Sequence, residues 1–139
     1  MGNNNTINKI NFDDMNYAIK SNKYLIINVL DVNDQLCLIK NTIPYNQEET
    51  IINNYLQKDK SINIIVYGKN CNDDLIYKKY SQLKTLGFYS IYLYVGGMFE
   101  WLLLQDIYTD EVFPTTSKCI DILKFKPYGI IHVQNYLLQ

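Results

Sequence analysis

Two short apolar runs that do not alternate, Ile62–Tyr67, interrupted only by Asn63, and Ile91–Val95, constrain this chain more than any other feature. A strand that is apolar at successive positions must be covered on both faces, which is the condition of a parallel sheet between layers of helices. Between the runs lies the clearest helix pattern, Asp73–Leu86, with Ile76, Tyr80 and Leu83 on one face. Gly87 follows, where a helix is ended by a left-handed glycine. After the second run come Gly96-Gly97 and a helix pattern from Met98 to about Gln105. The order strand, loop, helix, strand, glycine pair, helix puts the loop Gly68–Asp74 beyond the carboxyl end of a strand, where such units present functional groups.

The flanking sequence continues the alternation. Phe12–Lys20 reads as a first helix with Asp13 and Asp14 in its first turn, and Tyr24–Leu30 as a buried strand interrupted only by Asn28. Asp31–Asp34 is turn chemistry, Leu36–Ile39 a short strand, and Ile43-Pro44 closes the connection to a helix over Gln47–Gln57. Beyond Tyr108 the rhythm breaks. Phe113–Ser117 reads as a loop, Ser117 as the cap of a short helix over Lys118–Lys124, and the last twelve residues as a strand or an extended arm. The expected organisation is a flexible polar segment over 1–8, one α/β domain over 9–105 and a C-terminal extension over 106–139.

Composition removes several classes of function. With 139 residues the chain is one domain, and 47% hydrophobic residues suffice for a core. The net charge is −1 and basic runs are absent, so nucleic acid is not the expected partner. All 13 basic residues are lysines. Arginine is the side chain that grips phosphate with two parallel bonds, so its absence argues against phosphoester chemistry. The three cysteines, Cys37, Cys71 and Cys119, match no zinc spacing, and His132 is the only histidine, so no metal or other cofactor is expected. A reducing, intracellular setting suits this cysteine content. The richness in Asn, Ile, Lys and Tyr follows AT-rich codons, as in protists or the large DNA viruses that infect them.

Ile64-Ile65-Val66-Tyr67, Leu86-Gly87-Phe88, Ile91-Tyr92-Leu93-Tyr94 and Gly96-Gly97-Met98-Phe99-Glu100-Trp101 together resemble a rhodanese-like domain. Asn28-Val29-Leu30 stands where the family carries Asp-Val-Arg, and Ile39–Pro44 resembles its Gly-His-Ile-Pro-Gly-Ala connection without the histidine and both glycines. The resemblance implies a parallel sheet with helices on both faces. It also implies a site in which a cysteine after the fourth main strand carries a persulfide, cradled by backbone amides of the following loop.

By the strand pattern the nucleophile position falls on Gly68, which has no side chain for this chemistry; counting back from Gly87 and Gly96 lands near Asn70. Cys71 is close to both positions and on neither. Lys69 would favour its thiolate, whereas Asp73 and Asp74 oppose it and repel an anionic donor. The candidate site is therefore the loop Gly68, Lys69, Asn70, Asn72, Asp73 and Asp74, with Cys71 as a displaced nucleophile. Cys37 and Cys119 read as structural or surface thiols.

Two readings follow: a catalytically inactive adaptor that binds a protein partner or a second copy, and a sulfurtransferase that uses Cys71. Phosphatase-like chemistry on the same scaffold needs the arginine that is missing. In the adaptor reading the extension, with Trp101, Phe113, Tyr128 and Tyr136 near it, covers the loop or forms a dimer face. Met1-Gly2 and Thr6 fit the N-myristoylation pattern with Gly2 as acceptor, which would give weak membrane or virion association through one acyl chain. Without that acyl chain the expected location is cytoplasmic.

Overall fold

The computed structural model describes residues 6–131. In chain order these form β1 Asn8–Ile10, α1 Phe12–Ser21, β2 Tyr24–Asn28, a 3-10 turn at Val32–Asp34, β3 Thr42–Ile43 and α2 Tyr45–Lys58. There follow β4 Asn63–Tyr67, α3 Leu75–Thr85, β5 Ile91–Tyr94, α4 Gly97–Tyr108 and a second 3-10 turn at Ile122–Phe125. The strands form one sheet in the order β1-β5-β4-β2-β3, and every pairing is parallel. Tyr67 is level with Asn28 on one side and with Tyr94 on the other, so β2, β4 and β5 end together. The loops that leave them share one edge of the sheet.

Successive residues of the central strands feed opposite cores. Ile65 and Tyr67 of β4 and Tyr94 of β5 join Met15 and Ala18 of α1 and Met98, Trp101 and Leu102 of α4. Ile64 and Val66 of β4 and Ile91 and Leu93 of β5 join Ile52 of α2 and Ile76 and Leu83 of α3. This is the two-faced burial that apolar runs such as Ile64–Tyr67 and Ile91–Tyr94 require. The α/β class with helices on both faces is the one the sequence indicated.

Local chemistry sets the helix ends. Asn11 Oδ1 accepts the N–H of Asp14 at 3.0 Å and Asp14 Oδ2 accepts that of Asn11 at 3.2 Å, a reciprocal cap on α1. Gly87, at φ 108°, closes α3: its N–H donates to Lys84 O at 2.9 Å and that of Phe88 to Leu83 O at 3.1 Å.

Several expectations are corrected. Asn8, the last residue of the segment expected to be flexible, opens the strand Asn8–Ile10. Its exposed, polar pattern carries no strand signal, and it forms because β5 offers it an edge. Leu36–Ile39 is not a strand of the sheet; Ile39 instead makes an isolated antiparallel bridge to Thr115. No α-helix spans Lys118–Lys124, and Ser117 caps nothing: its hydroxyl donates to Leu36 O at 2.7 Å. Residues 106–108 belong to α4. The extension packs on the domain, burying Phe113 and Phe125 against Trp101 and its neighbours. Trp101 and Phe113 are thus core residues, unavailable to a dimer face, while Tyr128 is exposed. Gly2, His132 and Tyr136 lie outside the described residues.

Candidate functional site

The loop Gly68–Asp74 starts where β4 ends and is fixed by the glycine pair. Gly68 O and Lys69 O accept the N–H groups of Met98 and Phe99 at 2.9 and 2.8 Å, satisfying two donors of the first turn of α4. Gly97, at φ 69°, makes this approach feasible: a Cβ there would lie 2.7 Å from Gly68 O and 2.9 Å from Asn70 N. Gly96 has a different task. A Cβ at Gly96 would meet the Glu100 carboxylate, 2.5 Å from its Cδ. Glu100 Oε1 accepts the Tyr94 hydroxyl at 2.6 Å, and burial, with the carboxylate, holds the Tyr94 pKa well above the ordinary tyrosine value.

Within the loop, side chains occupy the backbone donors. Asp73 Oδ2 accepts the N–H of Lys69 at 2.9 Å, and Asp73 Oδ1 accepts that of Leu75, the first residue of α3, at 3.1 Å. Asn70 Oδ1 accepts the N–H of Asn72 at 2.9 Å, and Asn70 O that of Asp73 at 3.1 Å. Asn70 is buried, and its Nδ2 donates to Phe125 O at 2.9 Å, which ties the loop to the extension. A Cβ on Gly68 would press on Asp73 Oδ2, lie 2.8 Å from Asp73 Cγ and 3.1 Å from Val29 Cγ2. The space beside Gly68 is therefore filled by a carboxylate of the chain itself.

The wall beside the loop is polar and self-satisfied. Asn28, buried at the end of β2, exchanges hydrogen bonds with Gln35: Nδ2 donates to Gln35 Oε1 at 3.1 Å, and Gln35 Nε2 donates to Asn28 Oδ1 at 2.9 Å. Asn28 Oδ1 also accepts the N–H of Leu30 at 3.0 Å. Behind it, the Thr42 hydroxyl donates to Ile39 O at 2.6 Å, so the buried Tyr67 hydroxyl, 2.9 Å from Thr42 Oγ1, donates to Thr42 while accepting the N–H of Ile39 at 3.1 Å.

Of the residues singled out in the sequence, Gly68, Lys69, Asn70 and Asp73 interlock. Asn72 joins them only through its backbone, and the side chains of Cys71, Asn72 and Asp74 are exposed. Cys71 Sγ has Asn72 Oδ1 at 3.8 Å. Cys37 is buried and Cys119 partly buried. Sequence reasoning missed Gln35 and Phe125. Gln35 had a signal, since a buried Asn28 demands an amide or carboxyl partner; Phe125 stands 55 positions from Asn70 and had none. Among the described residues no three potential metal ligands cluster, and no helix is long and apolar enough to cross a membrane.

The parallel sheet, with a loop after its central strand held by a glycine pair, defines a class of α/β domain. Residues 14–104 match the sequence profile of the rhodanese-like domain, and the chain belongs to that family. Solved structures agree at the level of fold. The BH2092 protein of Bacillus halodurans superposes with a TM-score of 0.62 at 18% identity, covering 93% of this chain and 89% of its own. The Alr3790 protein of Anabaena sp. gives 0.58 at 19% identity, with 92% and 91% covered. A single-domain sulfurtransferase of Saccharomyces cerevisiae gives 0.53 at 18% identity, with 81% and 100% covered. No curated protein matches the chain.

Proposed function

We propose that this chain is a rhodanese-like domain without sulfurtransferase activity, serving as a protein-binding module. One observation carries the reading. At Gly68, the residue directly after β4, the Asp73 carboxylate fills the space a nucleophilic side chain would need and takes two backbone donors, those of Lys69 and Leu75. Backbone amides that hold an internal carboxylate are not free to bind thiosulfate or a persulfide anion, and the fixed negative charge repels both. Cys71 stands exposed three positions on, away from this arrangement.

A use in protein recognition is supported by the extension. Ile120 is 92% exposed, and Leu36, which lines the same cleft, is 86% exposed. Apolar side chains gathered in one region mark interaction surfaces more often than single exposed residues do.

The test is intact mass spectrometry of the reduced protein before and after thiosulfate, with Cys71→Ser alongside and thiocyanate production from thiosulfate and cyanide as the kinetic readout. The expected result is no added sulfur and no thiocyanate above background. A stable gain of one sulfur that vanishes in Cys71→Ser would overturn the reading and make the chain a sulfurtransferase with a displaced nucleophile.

A further inference from the structure

The segment before β3 and the extension after α4 are laced together. Lys40 N–H donates to Pro114 O at 3.1 Å, Thr116 N–H to Leu38 O at 2.8 Å and Leu38 N–H to Thr116 Oγ1 at 3.1 Å, around the antiparallel bridge Ile39–Thr115. Cys37 precedes one segment of this antiparallel pairing and Cys119 follows the other, so both lie at the same end of it. Cys37 Sγ donates to Ser117 O at 3.3 Å, two residues short of Cys119. Both cysteines line one cleft, beside Asp34, Asp121 and Lys124, and Cys119 packs against the core cluster that holds Cys37. We propose that Cys37 and Cys119 are a redox-active dithiol whose disulfide clamps the extension to the body of the domain.

The two thiols divide the work. Burial first, then the neighbouring Cys119, pushes the Cys37 thiol up to about 12, so Cys37 does not react first near neutral pH. Cys119 is the more accessible. Its thiolate attacks one sulfur of a small disulfide such as glutathione disulfide, forming a mixed disulfide and expelling one glutathione thiolate. With Cys119 capped, its charge no longer opposes ionisation of Cys37. The Cys37 thiolate then attacks Cys119 Sγ, the protein disulfide forms, and the second glutathione leaves. The protein loses two hydrogens, and the two electrons end on two glutathione thiols. Because Phe125 O holds Asn70, the clamp fixes the segment that touches the loop. The proposal does not depend on whether the loop transfers sulfur.

Peptide mapping tests it directly. Cleavage after lysine separates the three cysteines into peptides 24–40, 70–78 and 119–124. The reduced protein is incubated with glutathione disulfide, its remaining thiols are alkylated, and the unreduced digest is mapped. Peptide 24–40 joined to 119–124 is expected in wild type and Cys71→Ser and absent in Cys119→Ser. Oxidation should also raise the thermal midpoint of wild type by several degrees and leave Cys119→Ser unchanged. A persistent glutathione adduct on 119–124 with 24–40 left free to alkylate, a main cross-link that includes 70–78, or three free thiols at high oxidant would each overturn the proposal.

Discussion

The Asp73 carboxylate and a Cβ on Gly68 would compete for the same volume: Asp73 Cγ lies 2.8 Å from where that Cβ would be. The carboxylate is held in place by the N–H groups of Lys69 and Leu75, at 2.9 and 3.1 Å. Gly68 is not among the residues at positive φ, so its backbone would accept a side chain. Asp73 is the main obstacle, and Val29 Cγ2, 3.1 Å from the same point, is a second.

A double-mutant cycle measures this competition. Asp73→Ala alone should cost about 1–2 kcal/mol, the usual loss for a carboxylate that accepts backbone donors at a helix start. Gly68→Ala alone should cost about 1–3 kcal/mol, the range for overpacking a filled site. With Ala at 73 the larger clash is gone and only the contact with Val29 Cγ2 at 3.1 Å is left, so the double variant should be more stable than the sum of the singles predicts, by about 1 kcal/mol or more. Urea denaturation of the four proteins gives the coupling, and strict additivity would show that the two positions do not share this space.

The two glycines of the pair should differ in tolerance. Gly97→Ala forces a side chain onto positive φ and drives its Cβ into the backbone at Gly68 and Asn70, so a loss of about 2–4 kcal/mol is expected. At Gly96 the obstacle is the end of the Glu100 side chain, which swings away, and the cost is mainly the Tyr94–Glu100 hydrogen bond, about 1–2 kcal/mol. Denaturation midpoints check the ranking.

Alkaline pH should destabilise the fold through its buried phenols. Burial raises the pKa of both Tyr67 and Tyr94 above the ordinary value of 10.0. The stability they contribute is whole below that value. As pH rises past it the unfolded chain releases protons that the folded chain retains, and stability falls by about 1.4 kcal/mol per pH unit for each group. Cys37 acts in the same sense from its ordinary value of 9.0 to about 12. Urea unfolding from neutral pH to pH ~11 should show this decline, and Tyr94→Phe should lessen its slope. An unchanged slope in that variant would mean that Tyr94 ionises in the folded protein.

The extension is part of the core, and Trp101, the single tryptophan, reports it. Its Nε1–H donates to Pro114 O at 3.0 Å, and its ring meets Phe113 edge to face with centroids 5.1 Å apart. Phe113→Ala should cost about 3–5 kcal/mol and shift tryptophan emission to the red. Tyr128→Ala, at an exposed position, should stay within about 0.5 kcal/mol of wild type with emission unchanged. Equal effects of the two would contradict the packing of the extension.

The amino-acid sequence is enough to set the sheet and the helix layers, because Ile64–Tyr67 and Ile91–Tyr94 are apolar on both faces and only double-sided burial accommodates that. It also determined the end of α3 at Gly87, where a positive φ follows from local chemistry, and it put a glycine directly after β4. What lies against that glycine is set by the assembled fold. Asp73 reads in the sequence as an ordinary first-turn acid; whether its carboxylate faces solvent or turns back to Lys69 depends on how the loop is held by the start of α4. The same holds for β1, whose three residues have no apolar pattern and become a strand only against Tyr92–Tyr94. It holds also for Cys37 and Cys119, 82 positions apart and adjacent only once the extension pairs with the segment before β3. Periodicity records which side of an element is buried, but contacts between distant segments depend on the packing of the whole chain and leave no periodic trace.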